Sequence, residues 1–556
     1  MKREKLNSLA KSLKEKNITF FCGAGISHYS GIPLANSLVK GILERLSMSN
    51  EEKEKFLKTN IPFESVIQTL LNVTKHEKLF KIFECNTPNR NQILFQKLAV
   101  KNNLSSVVTT NFDHLIENAF ISGNIPYHTY YSDKEIANVN WSSDKIPIIK
   151  LHGDISDFKS LAITIRRVAS QTLITNREKI IEEVFTHQNS DVVIVMGYSC
   201  SDQFDIIPTI TSLEDKNKRV IFVDHASIPD SEIQITSLNE VSSNHAFYGF
   251  NGIKLKCNTD HFVEEIWDVL LETKIPQINR SKSTWKQKLD KWIEETVLKY
   301  SSGIKFYVAS LLLQKSDSYK LSNHNAQKYL NKNPDSDLIN DVFQLIGENY
   351  RELNEKNESE KWLNKILDQS NDKKQLSRAH RSLGILQLDR NNNSEAINFF
   401  ERALEYSEEF YGKDSDEEFR GKCYGNIGIA YKKKGTRKSL NKSVENHERA
   451  LKIADQIGDV KSKNRTLGNI GITYSDFALN YYNEALDIAK NLNDKKHEAI
   501  WSINIGIDLI NRNDEKALKW LKKAKELFQE VGKTHRVKLC QEYICIVNRV
   551  KKISEY

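Results

Sequence analysis

Three short motifs place glycine or polar residues directly after apolar, β-branched runs. The first is Phe21-Cys22-Gly23-Ala24-Gly25-Ile26-Ser27, continued by Ser30-Gly31-Ile32-Pro33. A strand that turns through glycines into a helix brings backbone N–H groups and a helix dipole to one point. That suits a pyrophosphate, whose close approach a Cβ would block. Taken alone, such a loop is a tight strand-to-helix turn. The second motif, Thr109-Thr110-Asn111-Phe112-Asp113, closes the run Ser105 to Thr110; the third, Lys150-Leu151-His152-Gly153-Asp154, closes the run Ile146 to Leu151. Singly, Asn111 reads as a turn former, Asp113 as a helix N-cap and His152 as a strand-end residue with a satisfied hydrogen bond. Three such motifs at successive strand ends are a different matter, because ligands of open parallel sheets bind at the carboxyl ends of the strands. An amide, a carboxylate and an imidazole would then converge beside a dinucleotide roofed by the glycine loop. An imidazole with an ordinary pKa of about 6.5 can accept a proton near neutrality.

The elements that must hold these motifs are legible as a pattern. As far as about Glu272, short runs (Ile18 to Cys22, Ser105 to Thr110, Ile146 to Leu151, Asp191 to Met196, Arg219 to Val223) alternate with helical stretches. This alternation predicts an α/β unit with a Rossmann-like, doubly wound parallel sheet. The unbroken apolarity of VVIVM and VIFV predicts strands covered on both faces. At 556 residues the chain exceeds the about 250 to 300 that one hydrophobic core serves, so at least two domains are expected. No apolar run approaches the roughly 18 residues of a membrane helix, and the basic start Met1-Lys2-Arg3 leads to no long apolar segment. An integral membrane protein is excluded on this pattern, and a cytoplasmic location is expected. The net charge of +8 is the small difference between 81 basic and 73 acidic residues, both interspersed, so nucleic acid is not an expected partner. The seven cysteines form no CxxC pair, which argues against a disulfide framework or a zinc ribbon.

From about Trp285 the texture becomes amphipathic helix with an internal repeat. Gly347, Gly384, Gly428, Gly471 and Gly506 recur at spacings of 37, 44, 43 and 35 residues, each preceded by an aliphatic residue: Ile346, Leu383, Ile427, Ile470, Ile505. The third position after four of them holds Tyr350, Tyr431, Tyr474 or Leu509. A second helix then supplies small and large residues: Ala396, Phe400 and Ala403; Ser443, His447 and Ala450; Ala517, Leu521 and Ala524. The pattern resembles the tetratricopeptide repeat, a helix-turn-helix unit of about 34 residues in which small residues let paired helices approach. It covers roughly 337–532, with a capping helix expected over 535–552. The turn between helices is expected to be longer in the Gly428 repeat and shorter in the Gly471 repeat. An α-helical solenoid with a concave surface for a peptide or protein partner is implied.

The three strand-end motifs together resemble the sirtuin family, whose signatures are a GAGxS loop, an Asn-x-Asp motif and a His-Gly motif. Gly197-Tyr198-Ser199, after the run Asp191 to Met196, is similar to the family's later glycine-serine turn. Over about residues 6–272 the resemblance implies that Gly23, Ala24, Gly25 and Ser27 border the phosphates, with Thr110, Gly197 and Ser199 also at the cofactor. It implies that Asn111 and Asp113 hold the nicotinamide ribose and carboxamide and that His152 is the general base. Asp224, at another strand end, is a weaker match to the acidic residues that take an adenosine ribose in dinucleotide folds. Two departures matter. Where sirtuin deacylases continue with Asp-Phe-Arg, this chain reads Leu34-Ala35-Asn36 after Gly31-Ile32-Pro33. Between His152 and Cys257 it has only Cys200, so the four-cysteine zinc module that helps frame an acyl-lysine groove is absent and no metal is expected.

Both departures resemble the sirtuin-like domains of bacterial antiphage defence proteins, which cleave NAD+ and are often fused to tetratricopeptide repeats. The resemblance therefore implies NAD+ as substrate and an NAD+ hydrolase (NADase) that releases nicotinamide in abortive infection. It also implies a trigger protein, of phage origin, at the repeats, and a homo-oligomer. The alternatives are an NAD-dependent protein deacylase or ADP-ribosyl transferase, and a repeat scaffold whose nucleotide domain only binds NAD. The expected domains are a catalytic domain over 1–272, a helical connector over 273–335 and a repeat sensor over 336–556.

Overall fold

The computed structural model describes residues 2–59, 61–74, 77–161, 171–186, 190–200, 206–229, 232–273, 275, 284–297, 303–333, 337–411, 416–457, 459–473, 478–491 and 494–554. The chain divides into two compact units, Met1–Ser316 and Asp317–Tyr556. The expected connector, 273–335, does not stand as a body of its own in this division. Its described part before Ser316 packs on the first unit: the Trp285 ring lies where a Cβ on Gly41 would be 2.8 Å away, and Arg45 pairs with Asp290.

In the first unit one sheet holds β1 (Ile18–Cys22), β2 (Leu104–Thr109), β3 (Tyr127–Tyr130), β4 (Ile146–Lys150), β5 (Val192–Met196), β6 (Arg219–His225), β7 (Gln234–Ser237) and β8 (Asn251–Cys257), in the order β3-β4-β2-β1-β5-β6-β8-β7. All neighbours are parallel except β7, which runs antiparallel to β8. The chain builds the sheet outward from β1 in one direction through β2, then in the other from β5, so the strand order switches at β1.

Alternate residues of the central strands serve opposite faces. Phe20, Val107, Ile148, Ile194 and Ile221 join Leu94, Leu98, Phe262 and Trp267 in one core cluster. Phe21, Val108, Ile149, Val193, Val195 and Phe222 join Ile181, Phe185 and Phe247 in the other. Burial on both faces is why these strands read as continuous apolar runs. β3, β7 and β8 lie at or beside the sheet's margins, where part of each strand meets water. Thr129, Gln234, Lys254 and Lys256 interrupt apolarity there, and no strand was legible in the sequence.

In the second unit, described by itself, helices pair as Ile339–Glu352 with Lys356–Gln369, Lys373–Asp389 with Asn393–Tyr411, Glu417–Lys434 with Arg437–Gln456, Val460–Thr473 with Ala478–Asn491, and Lys495–Asn511 with Ala517–Glu530; Thr534–Ser554 follows. Each repeat glycine meets one large side chain of the paired helix. A Cβ on Gly347, Gly384, Gly428, Gly471 or Gly506 would stand 2.6 to 2.9 Å from Leu363, Phe400, His447, Tyr482 or Leu521, respectively. Missing Cβ atoms thus let the helices close on those residues, as the spacing predicted. Tyr474 lies outside the described residues, as does the turn of the Gly471 repeat.

The longer turn expected in the Gly428 repeat is not found. Gly435, with φ of 72°, ends the first helix and Thr436 caps the next through the Ser439 N–H, so the additional residues are helical, Arg437–Gln456 having 20. Among the described residues no helix is long and apolar enough to cross a membrane.

Candidate functional site

β1 ends at Cys22, and Gly23 leads into a 3-10 helix, Ala24–Ser30, rather than directly into an α-helix. Gly31, with φ of 90°, and Ile32-Pro33 interrupt the chain before the helix Ala35–Arg45. The left-handed region is open to glycine, and a residue preceding proline is pushed towards extended backbone. Across the strand-order switch, β5 ends at Met196 and Gly197 takes φ of 67°.

The two glycine loops touch. Gly23 N–H donates to the Met196 carbonyl at 3.2 Å, and Gly25 N–H to the Gly197 carbonyl at 2.9 Å. A Cβ on Gly23 would stand 2.6 Å from the Gly197 oxygen and one on Gly25 2.7 Å from Gly197 Cα. Loop-to-loop approach therefore requires glycine at both positions. Their two N–H groups are taken by protein carbonyls and are not the ones that could face a phosphate. Ala24 and Ser199 are exposed beside this contact. Thr110 N–H donates to the Cys22 carbonyl at 3.0 Å, tying the end of β2 to that of β1. Asp224, at the end of β6, pairs with Lys254 of β8 at 2.9 Å and is partly exposed.

Ser27, Asn111 and Asp113 form a buried relay. Asn111 Nδ2 donates to Ser27 Oγ at 3.1 Å, and Ser27 Oγ donates to Asp113 Oδ2 at 2.8 Å. Asp113 Oδ1 accepts from Leu115 N–H at 3.0 Å, the first N–H of the helix Leu115–Ser122, whose N-cap position is held by His114. One carboxylate oxygen thus serves the start of the helix, and the other accepts from Ser27. Burial pushes the Asp113 carboxyl above the usual range, while the Lys150 ammonium, the Leu115 N–H and the Ser27 hydroxyl pull it down. Asn111 N–H is held by Thr109 Oγ1 at 3.0 Å, which orients the side chain from the end of β2.

His152 follows β4, the neighbour of β2; the register pairs Thr109 with Lys150, so Asn111 and His152 each stand two residues beyond paired positions. Leu151 N–H donates to the Thr109 carbonyl at 2.8 Å and Ile155 N–H to the Phe112 carbonyl at 3.1 Å, linking the loops. His152 is half-buried, with its Nε2 buried.

Beneath these loops lies a charged cluster to which sequence reasoning gave no role. Fully buried Lys150 reaches the Asp113 carbonyl at 2.6 Å, Asp154 Oδ2 at 2.6 Å and Glu117 Oε1 at 2.7 Å. Asp154 Oδ1 also contacts His114 Nε2 at 2.7 Å and accepts from Ser156 N–H at 2.8 Å. Burial disfavours the Lys150 ammonium, but Glu117 and Asp154 outweigh it and raise the pKa. Burial likewise opposes the charged Asp154, yet His114, Lys150 and Ser156 hold its carboxyl well below the usual range. The hydrogen bond to Asp154 raises His114. The only sequence signal was that Lys150 and Asp154 bracket His152 four residues apart. Among the described residues no group of three or more His, Cys, Asp or Glu could hold a metal ion.

A doubly wound parallel sheet whose strand-end loops converge at a switch in strand order defines the class of the first unit. Residues 105–242 match the family model described as a SIR2-like domain. The chain thus carries a SIR2-like domain in its sheet unit, fused to tetratricopeptide-like helical repeats, and the match supports a sirtuin-like, NAD-related enzymatic function. No curated protein matches the sequence. Among solved structures, the chain is similar to a Rap protein complexed with competence and sporulation factor, at 13% identity over 50% of this chain and 82% of that one, with a TM-score of 0.34. It is similar to aspartyl phosphate phosphatase F from Bacillus subtilis, at 14% identity over 53% of this chain and 81% of that one, with a TM-score of 0.33. A third is the C-terminal part of a TPR repeat-containing protein from Cytophaga hutchinsonii, at 15% identity over 43% and 89%, with a TM-score of 0.27.

Proposed function

We propose that the SIR2-like unit is an NAD+ hydrolase that releases nicotinamide. The observation that carries this is the Asn111–Ser27–Asp113 relay at the carboxyl edge of the sheet, with His152 on the loop of the adjacent strand. The bond from ribose to nicotinamide breaks through an oxocarbenium-like state, as in other glycoside cleavages. The pyridinium leaves readily, so the site must orient the substrate, support a cationic sugar and accept a proton. Asp113 supplies negative charge, Asn111 orientation through its amide, and His152 the base for an incoming water or a ribose hydroxyl. A base so placed contributes about 10² to 10⁴-fold in rate. Hydrolysis is favoured over deacylation because Cys200 is the one cysteine between His152 and Cys257, too few for a four-cysteine module.

The same reading makes the repeats, 336–556, the sensor of the catalytic segment, 1–272. An NAD+ hydrolase without control would exhaust its own cell, and a solenoid offers a concave face for a protein. The trigger is a phage-encoded protein, and the outcome is abortive infection by a cytoplasmic, homo-oligomeric effector.

The test is product analysis of NAD+ incubated with full-length protein and with His152→Ala, with and without co-expressed phage proteins. Nicotinamide and ADP-ribose, or its cyclised form, are expected from the wild type with its trigger present and not from His152→Ala. Release that requires an acyl-lysine peptide would make the enzyme a deacylase, and equal loss with His152→Ala would remove His152 from its role. Activation that persists after deletion of 336–556 would contradict sensing.

A further inference from the structure

A lysine with no exposed surface at the end of a strand needs a reason. Lys150 reaches three different segments: its ammonium donates to the Asp113 carbonyl at 2.6 Å in the loop after β2 and to Asp154 at 2.6 Å in the loop after β4, and it forms an ion pair with Glu117 at 2.7 Å in the helix beyond β2. Taking such charges out of water is costly, and a well-packed apolar side chain commonly serves stability as well. What an apolar side chain cannot do is hold two loops at a set separation through directed bonds.

The sequence neighbours make that separation matter. Asp113 ends the Asn111-Phe112-Asp113 motif, and Lys150 itself stands two residues before His152. Asp154 stands two residues after it, and its other oxygen is held by His114 at 2.7 Å and Ser156 N–H at 2.8 Å. His152 is therefore bracketed by two fixed residues, one of which grips the opposing motif's main chain. We propose that Lys150 is a positioning residue that sets the His152 loop against the Asn111–Asp113 loop without touching substrate.

The kinetic part of this inference rests on the hydrolase reading; the spectroscopic part does not. The test uses full-length protein in three forms: wild type, Lys150→Met and Lys150→Met/Glu117→Gln. The double variant removes one of the buried anions that Lys150→Met strands, so that a folding defect is relieved. Thermal midpoint, kcat and KM for NAD+, and the ¹⁵N and ¹H resonances of the His152 ring, assigned with His152→Ala, are measured on each.

The expected result is a double variant that recovers most of the midpoint, while kcat stays down about 10²-fold, the scale of an ångström of misplacement. KM should change less than about threefold, since the substrate contacts themselves remain, and the His152 resonances should move. A double variant whose kcat recovers together with its midpoint, with His152 resonances unmoved, would overturn the proposal and make Lys150 a folding residue. The spectra need no turnover. Wild-type protein that leaves NAD+ intact even when co-expressed with its trigger would overturn the hydrolase reading, and the histidine resonances would still decide the role of Lys150.

Discussion

Ser27 and Asp113, 86 residues apart in the chain, share a buried hydrogen bond of 2.8 Å in which the serine hydroxyl donates to the carboxylate. The bond favours the ionised form of a carboxyl that burial pushes up. Ser27→Ala removes that support, so the Asp113 pKa rises further and the ionised fraction at a given acidic pH falls. The acid limb of the kcat/KM profile for NAD+ should move to higher pH, with a stability cost of about 1.5 to 3 kcal/mol for a hydrogen bond to a charged group. A profile whose acid limb stays in place would show that turnover does not depend on ionised Asp113.

The contact between the glycine loops predicts a sharp effect of one methyl group. In Gly25→Ala the new Cβ would meet Gly197 Cα at 2.7 Å, backbone that cannot rotate away. The loops after β1 and β5 must part, at about 1 to 3 kcal/mol by analogy with overpacked cores, and NAD+ turnover should fall with them. Gly197→Ala adds a left-handed backbone penalty of about 1 to 2 kcal/mol. Thermal midpoints and initial rates of the two variants check this; wild-type midpoint and rate in Gly25→Ala would exclude close loop approach.

In the repeat unit, Gly384→Ala would place a Cβ 2.7 Å from the Phe400 ring. Overpacking of this kind costs about 1 to 3 kcal/mol. Shortening the partner should relieve it, so Gly384→Ala/Phe400→Leu should be more stable than the sum of the single changes. A double-mutant cycle on denaturant midpoints measures the coupling, and strict additivity would mean that the pair does not touch.

His447 fills the corresponding place opposite Gly428, fully buried, and among the described residues neither ring nitrogen makes a hydrogen bond. Burial, with Lys432 adding to it, lowers its pKa from 6.5 to about 4. Between those values the unfolded chain binds the proton and the folded one does not, so stability falls as pH drops from 6.5 towards 4. The loss is at most about 3.4 kcal/mol at 1.36 kcal/mol per unit. His447→Phe, which copies the Gly384–Phe400 pair, should flatten this slope in midpoints taken from pH 7 to 4. An unchanged slope would assign the acid sensitivity to other groups.

Hydrophobic periodicity is a local property, and it was enough to show the central strands and the paired helices. VVIVM became β5 because both faces of that strand are covered, and the five glycines marked five helix contacts because each repeat must solve the same packing problem. β3, β7 and β8 carried no such mark, since water replaces protein over part of each. The motifs around Asn111, Asp113 and His152 were visible as polar residues where apolar runs stop, but their mutual contacts were not.

Ser27 bridging Asn111 and Asp113, Gly25 resting on Gly197 and Lys150 gripping Asp113 join segments tens to more than a hundred residues apart. No period or spacing encodes such pairs. They arise because parallel strands must align their carboxyl ends, which brings the loops after β1, β2, β4 and β5 to one edge of the sheet. There, exclusion of water makes every buried charge and N–H seek a partner in another loop. The types of residue available for chemistry were thus written along the chain, whereas the partner of each was settled only by the order in which the strands lie.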